Sequence, residues 1–293
     1  MHVDFNAYFA SVEQQANPFL RGKAIGVGGK PGHRSVVTTA SYTAKDKGVK
    51  TAMSSWEALK VCPDLEMVDG DPRKYSEMTD RMLNIMHRYA SHVSQTSIDE
   101  AYLDVTHQAE DWMGAMGIAL NIKADLAAEI GPHVTVSIGI ATNAMMAKIA
   151  GGSEKPNGLT MVRPSEHKTF LNTVELIDIP GIGPRILRRL EELGIVSVEK
   201  LRAAPLSFLE KHFKQYGPFL YNASRGRGTS QLDPEPDTPK SIGHCYTLPY
   251  DIYSPLVVRG TFIRLCERVG YRLRKHGLAA RSFAVIHRSD TLQ

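Results

Sequence analysis

Ser97-Ile98-Asp99-Glu100-Ala101-Tyr102-Leu103-Asp104 sets two adjacent acids inside an apolar, strand-forming run. Val93 to Val105 as a whole reads as two strands around a turn. On a regular strand neighbouring side chains point to opposite faces. Asp99 and Glu100 therefore serve one site only where a hairpin turn or bulge relaxes that rule. A buried carboxylate pair repels itself and raises one pKa unless cations neutralise it. Hard oxygen ligands of this kind suit Mg²⁺, which keeps waters and substrate phosphates in its shell. Asp4 is a third acid in an apolar strand, and the fold can bring it to the pair. Taken alone, an Asp-Glu dipeptide is equally a solvent-facing turn.

Outward from this hairpin, Val3 to Ala10 reads as a short strand running into a helix, and Ser11 to Leu20 as helical, punctuated by Pro18 and Gly22. Ala24 to Val27 and Val36 to Ser41 are strand candidates, separated by a turn at Gly28-Gly29-Lys30-Pro31-Gly32. Helices are expected over Tyr42 to Lys47 and Ser55 to Val61. Tyr75, Met78, Met82, Ile85, Met86 and Tyr89 recur at helical spacing, as a core stripe. A long helix follows from Trp112 to Ile130. Val134, Val136, Ile138 and Ile140 then alternate as a half-buried strand, and Asn143 to Ile149 reads as a helix. Strands mixed with helices in this antiparallel-leaning order give the α+β class. Leu171 to Arg227 reads as helices with tight turns, and residues 232–239 as a Pro-rich linker. After it come a strand (Gly243 to Thr247), a helix (Pro255 to His276) and a strand (Arg281 to His287).

The 293 residues are 42% hydrophobic and 23% charged, which excludes disorder, collagen and a disulfide scaffold. No run of about 18 apolar residues predicts a membrane span. The opening Met1-His2-Val3-Asp4 is unlike a signal peptide, and Cys62, Cys245 and Cys266 are scattered, so a reducing, cytoplasmic setting is expected. The net charge of +4 is uneven: residues 1–170 carry 17 Lys and Arg against 19 Asp and Glu, residues 171–237 nine against nine, and residues 238–293 nine against three. A basic end on a near-neutral body suggests a polyanionic partner.

Two segments fit that partner. Ile179-Pro180-Gly181-Ile182-Gly183-Pro184 precedes an arginine-rich helix, so backbone N–H groups and a helix N-terminus form an anion site with Arg185, Arg188 and Arg189 nearby. This is a helix–hairpin–helix signature for a nucleic-acid backbone, read without sequence information. Arg264, Arg268, Arg272 and Lys275 share one face of the last helix, with Ile263, Val269 and Leu273 on a packing face. The bland alternatives are an ordinary glycine turn and a solvated charged face.

Four ordered motifs carry a resemblance: Val3-Asp4-Phe5-Asn6-Ala7-Tyr8-Phe9-Ala10-Ser11-Val12-Glu13, Ser97 to Asp104, Lys155-Pro156-Asn157-Gly158 and Ile179-Pro180-Gly181-Ile182-Gly183. Nearly the whole chain resembles the Y-family DNA polymerases, of the polymerase IV type used in translesion synthesis. The resemblance implies a right hand: a ferredoxin-like palm (1–15 and 69–170), small fingers (16–68), a helical thumb (171–231), the linker, and an α/β little finger (240–293). Asp4, Asp99 and Glu100 match the acids that hold two Mg²⁺ ions, with the Phe5 carbonyl completing one shell. Phe9 matches the steric gate that rejects a ribose 2′-OH. Tyr42, Lys45 and Lys155 match positions that hold the incoming triphosphate, with Tyr8 and Thr39 beside them. Gly181, Gly183, Arg185, Arg188, Arg264, Arg268 and Arg272 are the implied DNA contacts.

Departures from the family pattern are Lys45, where arginine is common, and Asn6, where many relatives carry an acid. Relatives also have a longer apolar run before Asp4 and continue the little finger past the point where this chain stops at Gln293. DNA affinity is then expected to be weaker and more salt-sensitive than that of a complete relative. The expected activity is low-fidelity, template-directed addition of deoxynucleotides to a primer, by a monomer. The partners are primer–template DNA and deoxynucleoside triphosphates. A sliding clamp is left open as a further partner, since no clamp-binding tail of aromatic and leucine type is visible. The rivals are a catalytically inactive DNA-binding subunit of a bypass complex and a helix–hairpin–helix nuclease.

Overall fold

The computed structural model describes residues 1–29, 34–228, 232, 239–248 and 250–288. The chain forms two compact units, Met1–Pro31 with Val36–Glu235, and Gly32–Ser35 with Pro236–Gln293.

In the first unit, β1 (His2–Phe5) is buried at all four residues, as only a central strand can be. It leads into α1 (Tyr8–Ala16). Then β2 (Ile25–Gly28), β3 (Thr39–Ala40), α2 (Tyr42–Asp46), α3 (Ser55–Val61) and β4 (Glu66–Asp69) build a small lobe. Its sheet runs β3-β2-β4 over Val37, Ala40, Ala44, Ala58 and Cys62. α3 starts in a capping box, with the Ser54 hydroxyl accepting the Glu57 N–H and the Glu57 carboxylate accepting the Ser54 N–H.

α4 (Pro72–Met86) begins where the Asp71 carboxylate accepts the N–H groups of Arg73 and Lys74, and it buries Tyr75, Thr79, Met82, Ile85 and Met86. Next come β5 (His92–Gln95), β6 (Glu100–Asp104), α5 (Trp112–Glu129), β7 (Val136–Ile140), α6 (Ala144–Ser153) and β8 (Leu159–Met161). The sheet order is β5-β6-β1-β7-β8. β1 is antiparallel to both β6 and β7, so the ferredoxin-like βαββαβ order is present with the small lobe inserted between β1 and α4.

Two sequence expectations change here. β7 is buried at every residue, not half-buried, because α6 covers its second face. The approach depends on Gly139: a Cβ there would lie 2.0 Å from the Ala147 carbonyl oxygen and 2.3 Å from the Gly151 nitrogen. β4 and β8 were not anticipated. They are short, part-exposed, and become strands by parallel pairing with β2 and β7, a non-local event that leaves no local pattern.

α7 (His167–Leu171), α8 (Pro184–Glu192), α9 (Val198–Ala203), α10 (Leu206–Phe213) and α11 (Gly217–Ala223) complete this unit. They close around Leu171, Leu190, Leu201, Leu209 and Leu220, with Met146, Ile149 and Ala150 of α6 in the same cluster.

The second unit contains α12 (Pro255–Lys275), none of whose residues is buried. Ile263, expected on a packing face, is exposed. The expected strands at 243–247 and 281–287 are not formed among the described residues. An extended segment becomes a strand only when a neighbour takes up its backbone groups. The Gly28–Gly32 turn falls partly, and the 232–239 linker mostly, outside the described residues.

Gly139→Ala is expected to destabilise the protein by about 1–3 kcal/mol in urea unfolding, because the new methyl meets backbone. Gly152→Ala in α6, where the added Cβ has nothing within 4 Å, is expected to be neutral or stabilising.

Candidate active site

Register places Asp4 of β1 directly opposite Glu100 of β6. His2 precedes Asp4 by two residues and shares its face, and ligand atoms of His2, Asp4 and Glu100 all lie within 4.8 Å of one another. Asp4 is only 8% exposed. The Lys155 ammonium donates to Asp4 Oδ2 at 2.7 Å, and Lys148 donates to both Glu100 oxygens at 2.9 and 2.7 Å. Burial pushes the Asp4 carboxyl up to about 6, against the bond and charge of Lys155. Burial also pushes Glu100 up, but the bond and charge of Lys148 outweigh it and hold that carboxyl below its usual range. Burial pulls His2 down to about 4, and the Glu100 charge opposes it only in part. Both His2 ring nitrogens are buried without a hydrogen-bond partner among the described residues.

Asp99 lies outside this close group. It sits in the turn before β6, where its carboxylate accepts the Ser97 hydroxyl at 2.5 Å and its backbone carbonyl accepts the Phe5 N–H at 2.9 Å. The structure thus joins Asp4 and Glu100 and leaves their third acid one step away, at the turn. The Phe5 ring is buried and stacked on Tyr8 at 4.9 Å, leaving only its backbone for a ligand.

α1 starts at Ala7, which takes left-handed backbone angles (φ 47°, ψ 48°) and gives no side-chain cap. The first N–H groups of α1 are therefore free of a capping side chain, a ready anion site. Tyr8 turns its side chain into the core, its hydroxyl 2.6 Å from the Tyr75 carbonyl and 2.7 Å from Thr79 Oγ1. Its side chain is thus not part of a nucleotide surface. The Phe9 ring is half-buried. Burial pushes the Tyr42 phenol up, and the charge of Asp4 adds to it. Lys45 stands 4.7 Å over the Tyr42 ring. Burial and the charge of Lys155 hold it down. Asp4, Asn6, Tyr42, Lys45 and Lys155 are therefore neighbours, drawn from both lobes of the first unit. Thr39 lies on β3 opposite Val27, three residues before Tyr42.

Three neighbours of the acid pair were not read from the sequence as such, Asn6 having been noted only as a departure from the family pattern. Asn6 is the anchor of the Lys155 loop: its Oδ1 accepts the Asn157 N–H at 2.7 Å and the Thr135 hydroxyl at 3.1 Å, and its Nδ2 donates to Ser137 Oγ at 2.9 Å. Lys148 was visible as the lone cation in the otherwise apolar and small run of α6. His2 was visible only as a polar residue on the Asp4 face of an apolar strand.

At the predicted hairpin, Gly181 has φ 100° and Gly183 precedes α8 without a side-chain cap. Ile182 is buried as the plug, while Arg185 and Arg188 are exposed beside the turn. In the second unit the α12 arginines do share a face. Arg272 donates to the Gly243 carbonyl at 2.7 Å, Arg268 lies 3.0 Å from His244 Nε2, and Arg264 stands 5.1 Å over the Tyr246 ring.

Two facing carboxylates in a buried sheet, each neutralised by a lysine head, fit a hard divalent cation. The lysines supply the positive charge that such an ion would bring. Among the described residues no helix is long and apolar enough to cross a membrane.

The impB/mucB/samB family model matches residues 3–152, the model for the thumb domain of DNA polymerase-iota matches residues 177–227, and the impB/mucB/samB C-terminal domain matches residues 239–293. The chain is 37% identical to the DNA polymerase IV of Shewanella pealeana over 94% of its own length and 76% of that protein. Among solved structures it resembles a Y-family DNA polymerase chimera, Dbh-Dpo4(243-245)-Dbh, with a TM-score of 0.83 and 32% identity over 92% of this chain and 79% of that one. An insertion ternary complex of Dbh DNA polymerase gives a TM-score of 0.75 at 31% identity, over 92% and 79% of the two chains.

Asn6→Ala is expected to cost about 1–2 kcal/mol in chemical denaturation, since it leaves the Asn157 N–H and the Thr135 hydroxyl without their acceptor, while Ser137 keeps its bonds to Glu154 and Gly158. Asn6→Asp keeps the acceptor for Asn157 and is expected to cost less.

Proposed function

We infer, from a chain that belongs to the impB/mucB/samB family of Y-family DNA polymerases, that this protein is a DNA-directed DNA polymerase. It adds deoxynucleotides to a primer 3′-OH with low fidelity and tolerates damaged template bases. The observation that supports the reading best is the Asp4–Glu100 pair, set across β1 and β6 with Lys155 and Lys148 on its oxygens.

Asp4 and Glu100, with Asp99 and the Phe5 carbonyl, would hold Mg²⁺. Bound there, two such ions would lower the pKa of the primer 3′-OH and neutralise charge at the α-phosphate and the leaving pyrophosphate. The chain's own groups do the rest. Lys45, Lys155 and the uncapped start of α1 attract and orient the triphosphate. Phe9 excludes a 2′-hydroxyl by bulk alone. The Gly181–Gly183 turn, with Arg185 and Arg188, holds a backbone phosphate, and Arg264, Arg268 and Arg272 track the duplex. The protein works as a monomer in the cytoplasm.

Primer extension with Mg²⁺ tests the reading. Asp4→Asn and Glu100→Gln are each expected to lower it about a thousandfold, near 4 kcal/mol of transition-state stabilisation. Extension at the parent rate by Glu100→Gln, or cleavage of DNA with no nucleotide present, would overturn it. Phe9→Ala is expected to raise ribonucleotide incorporation. Arg185→Ala and Arg188→Ala should weaken DNA binding alike for all sequences and each reduce the salt slope by about one.

A further inference from the structure

We propose that Glu13, Lys74 and Tyr75 form a positioning device that fixes the Phe9 ring and so sets the sugar selectivity of the enzyme. The inference rests on Phe9 facing the sugar of the incoming nucleotide.

Glu13 follows Phe9 by one helical turn on the same face of α1. It is 5% exposed, an unusual place for a carboxylate. Its Oε1 accepts the Tyr75 hydroxyl at 2.7 Å, and the Lys74 ammonium donates to both of its oxygens at 3.0 and 2.8 Å. Lys74 and Tyr75 lie in the first turn of α4, so the contact clamps α1 to α4 just behind Phe9. The Tyr75 ring lies against the Phe9 ring with centroids 4.4 Å apart and planes 32° from parallel. Tyr75 is held at both ends, its hydroxyl by Glu13 and its backbone carbonyl by the Tyr8 hydroxyl at 2.6 Å. Tyr8 backs Phe9 from a second side at 5.3 Å.

An ion pair whose carboxylate is buried and whose lysine stays a third exposed gives little net stability, because desolvating the carboxylate offsets the attraction. What this pair supplies is a fixed location for one ring. That location matters because phenylalanine offers the sugar no hydrogen bond. Its discrimination is steric, and a steric filter is only as strict as the backing that prevents its ring from retreating.

The experiment compares kcat/KM for a deoxynucleotide and the matching ribonucleotide in the parent, Tyr75→Phe, Glu13→Gln and Phe9→Ala, and in each of the first two combined with Phe9→Ala. Tyr75→Phe keeps the ring and removes only the hydroxyl, so folding is preserved, which a melting curve checks. The expected result is a selectivity ratio lowered about tenfold in Tyr75→Phe and Glu13→Gln, with deoxynucleotide kcat/KM within about threefold of the parent. In the Phe9→Ala background neither change is expected to move the ratio further, since the two act through one ring. An unchanged ratio in both single variants, or an equal fall without Phe9, overturns the proposal. If Phe9→Ala itself leaves the ratio at the parent value, the gate reading has failed and the proposal falls with it. If Phe9→Ala lowers the ratio but Tyr75→Phe and Glu13→Gln do not, only the positioning role is lost.

Discussion

Two carboxylates facing each other in a buried sheet stay ionised together only if positive charge stands beside them. At Asp4 and Glu100 that charge comes from Lys155 and Lys148, neither of which lies on the strands carrying the acids. Lys148 has to be delivered by α6, which reaches the sheet only because Gly139 lets backbone touch backbone. Lys155 has to be delivered by the loop after α6, which Asn6 ties down through the Asn157 N–H. A glycine in β7 and an asparagine in β1 thus answer to one electrostatic requirement, and the sheet order that sets β1 between β6 and β7 makes it possible to meet it.

Much of this was legible in the sequence because the signals were local. Helical spacing from Tyr75 to Met86 and the glycines around Ile182 each fix a piece of backbone with nearby residues. Asp4 and Glu100 were legible as charges in apolar strands. What stayed hidden depended on partners far along the chain. β8 has no pattern of its own until β7 lies beside it, and the burial of β7 cannot be read without α6 above it. The role of Asn6 was hidden for the same reason: its three bonds reach residues 129 to 151 positions away. The flanks of α12 failed in the opposite sense, because strand-like composition does not make a strand without a neighbour.

The Asp4–Glu100 pair and the Glu13 cluster use charge differently. The lysines of all three pairs, Lys148, Lys155 and Lys74, are about a third exposed, and the pairs differ in the carboxylate: the side chains of Asp4 and Glu100 are 12% and 18% exposed and that of Glu13 only 6%. Glu13 is sealed in, with one carboxylate taking all the bonds of its cluster. A carboxylate held at once by an ammonium and a phenol suits a place that has to stay still.

The lysine caps on the acid pair carry a consequence for how the protein matures. In a zinc finger the ligand cage cannot form until the ion arrives, so folding and metal loading are one event and a chelator unfolds the domain. Here the chain brings its own counter-ions. The sheet needs no ion to balance the charge of Asp4 and Glu100, so its assembly does not wait on a metal.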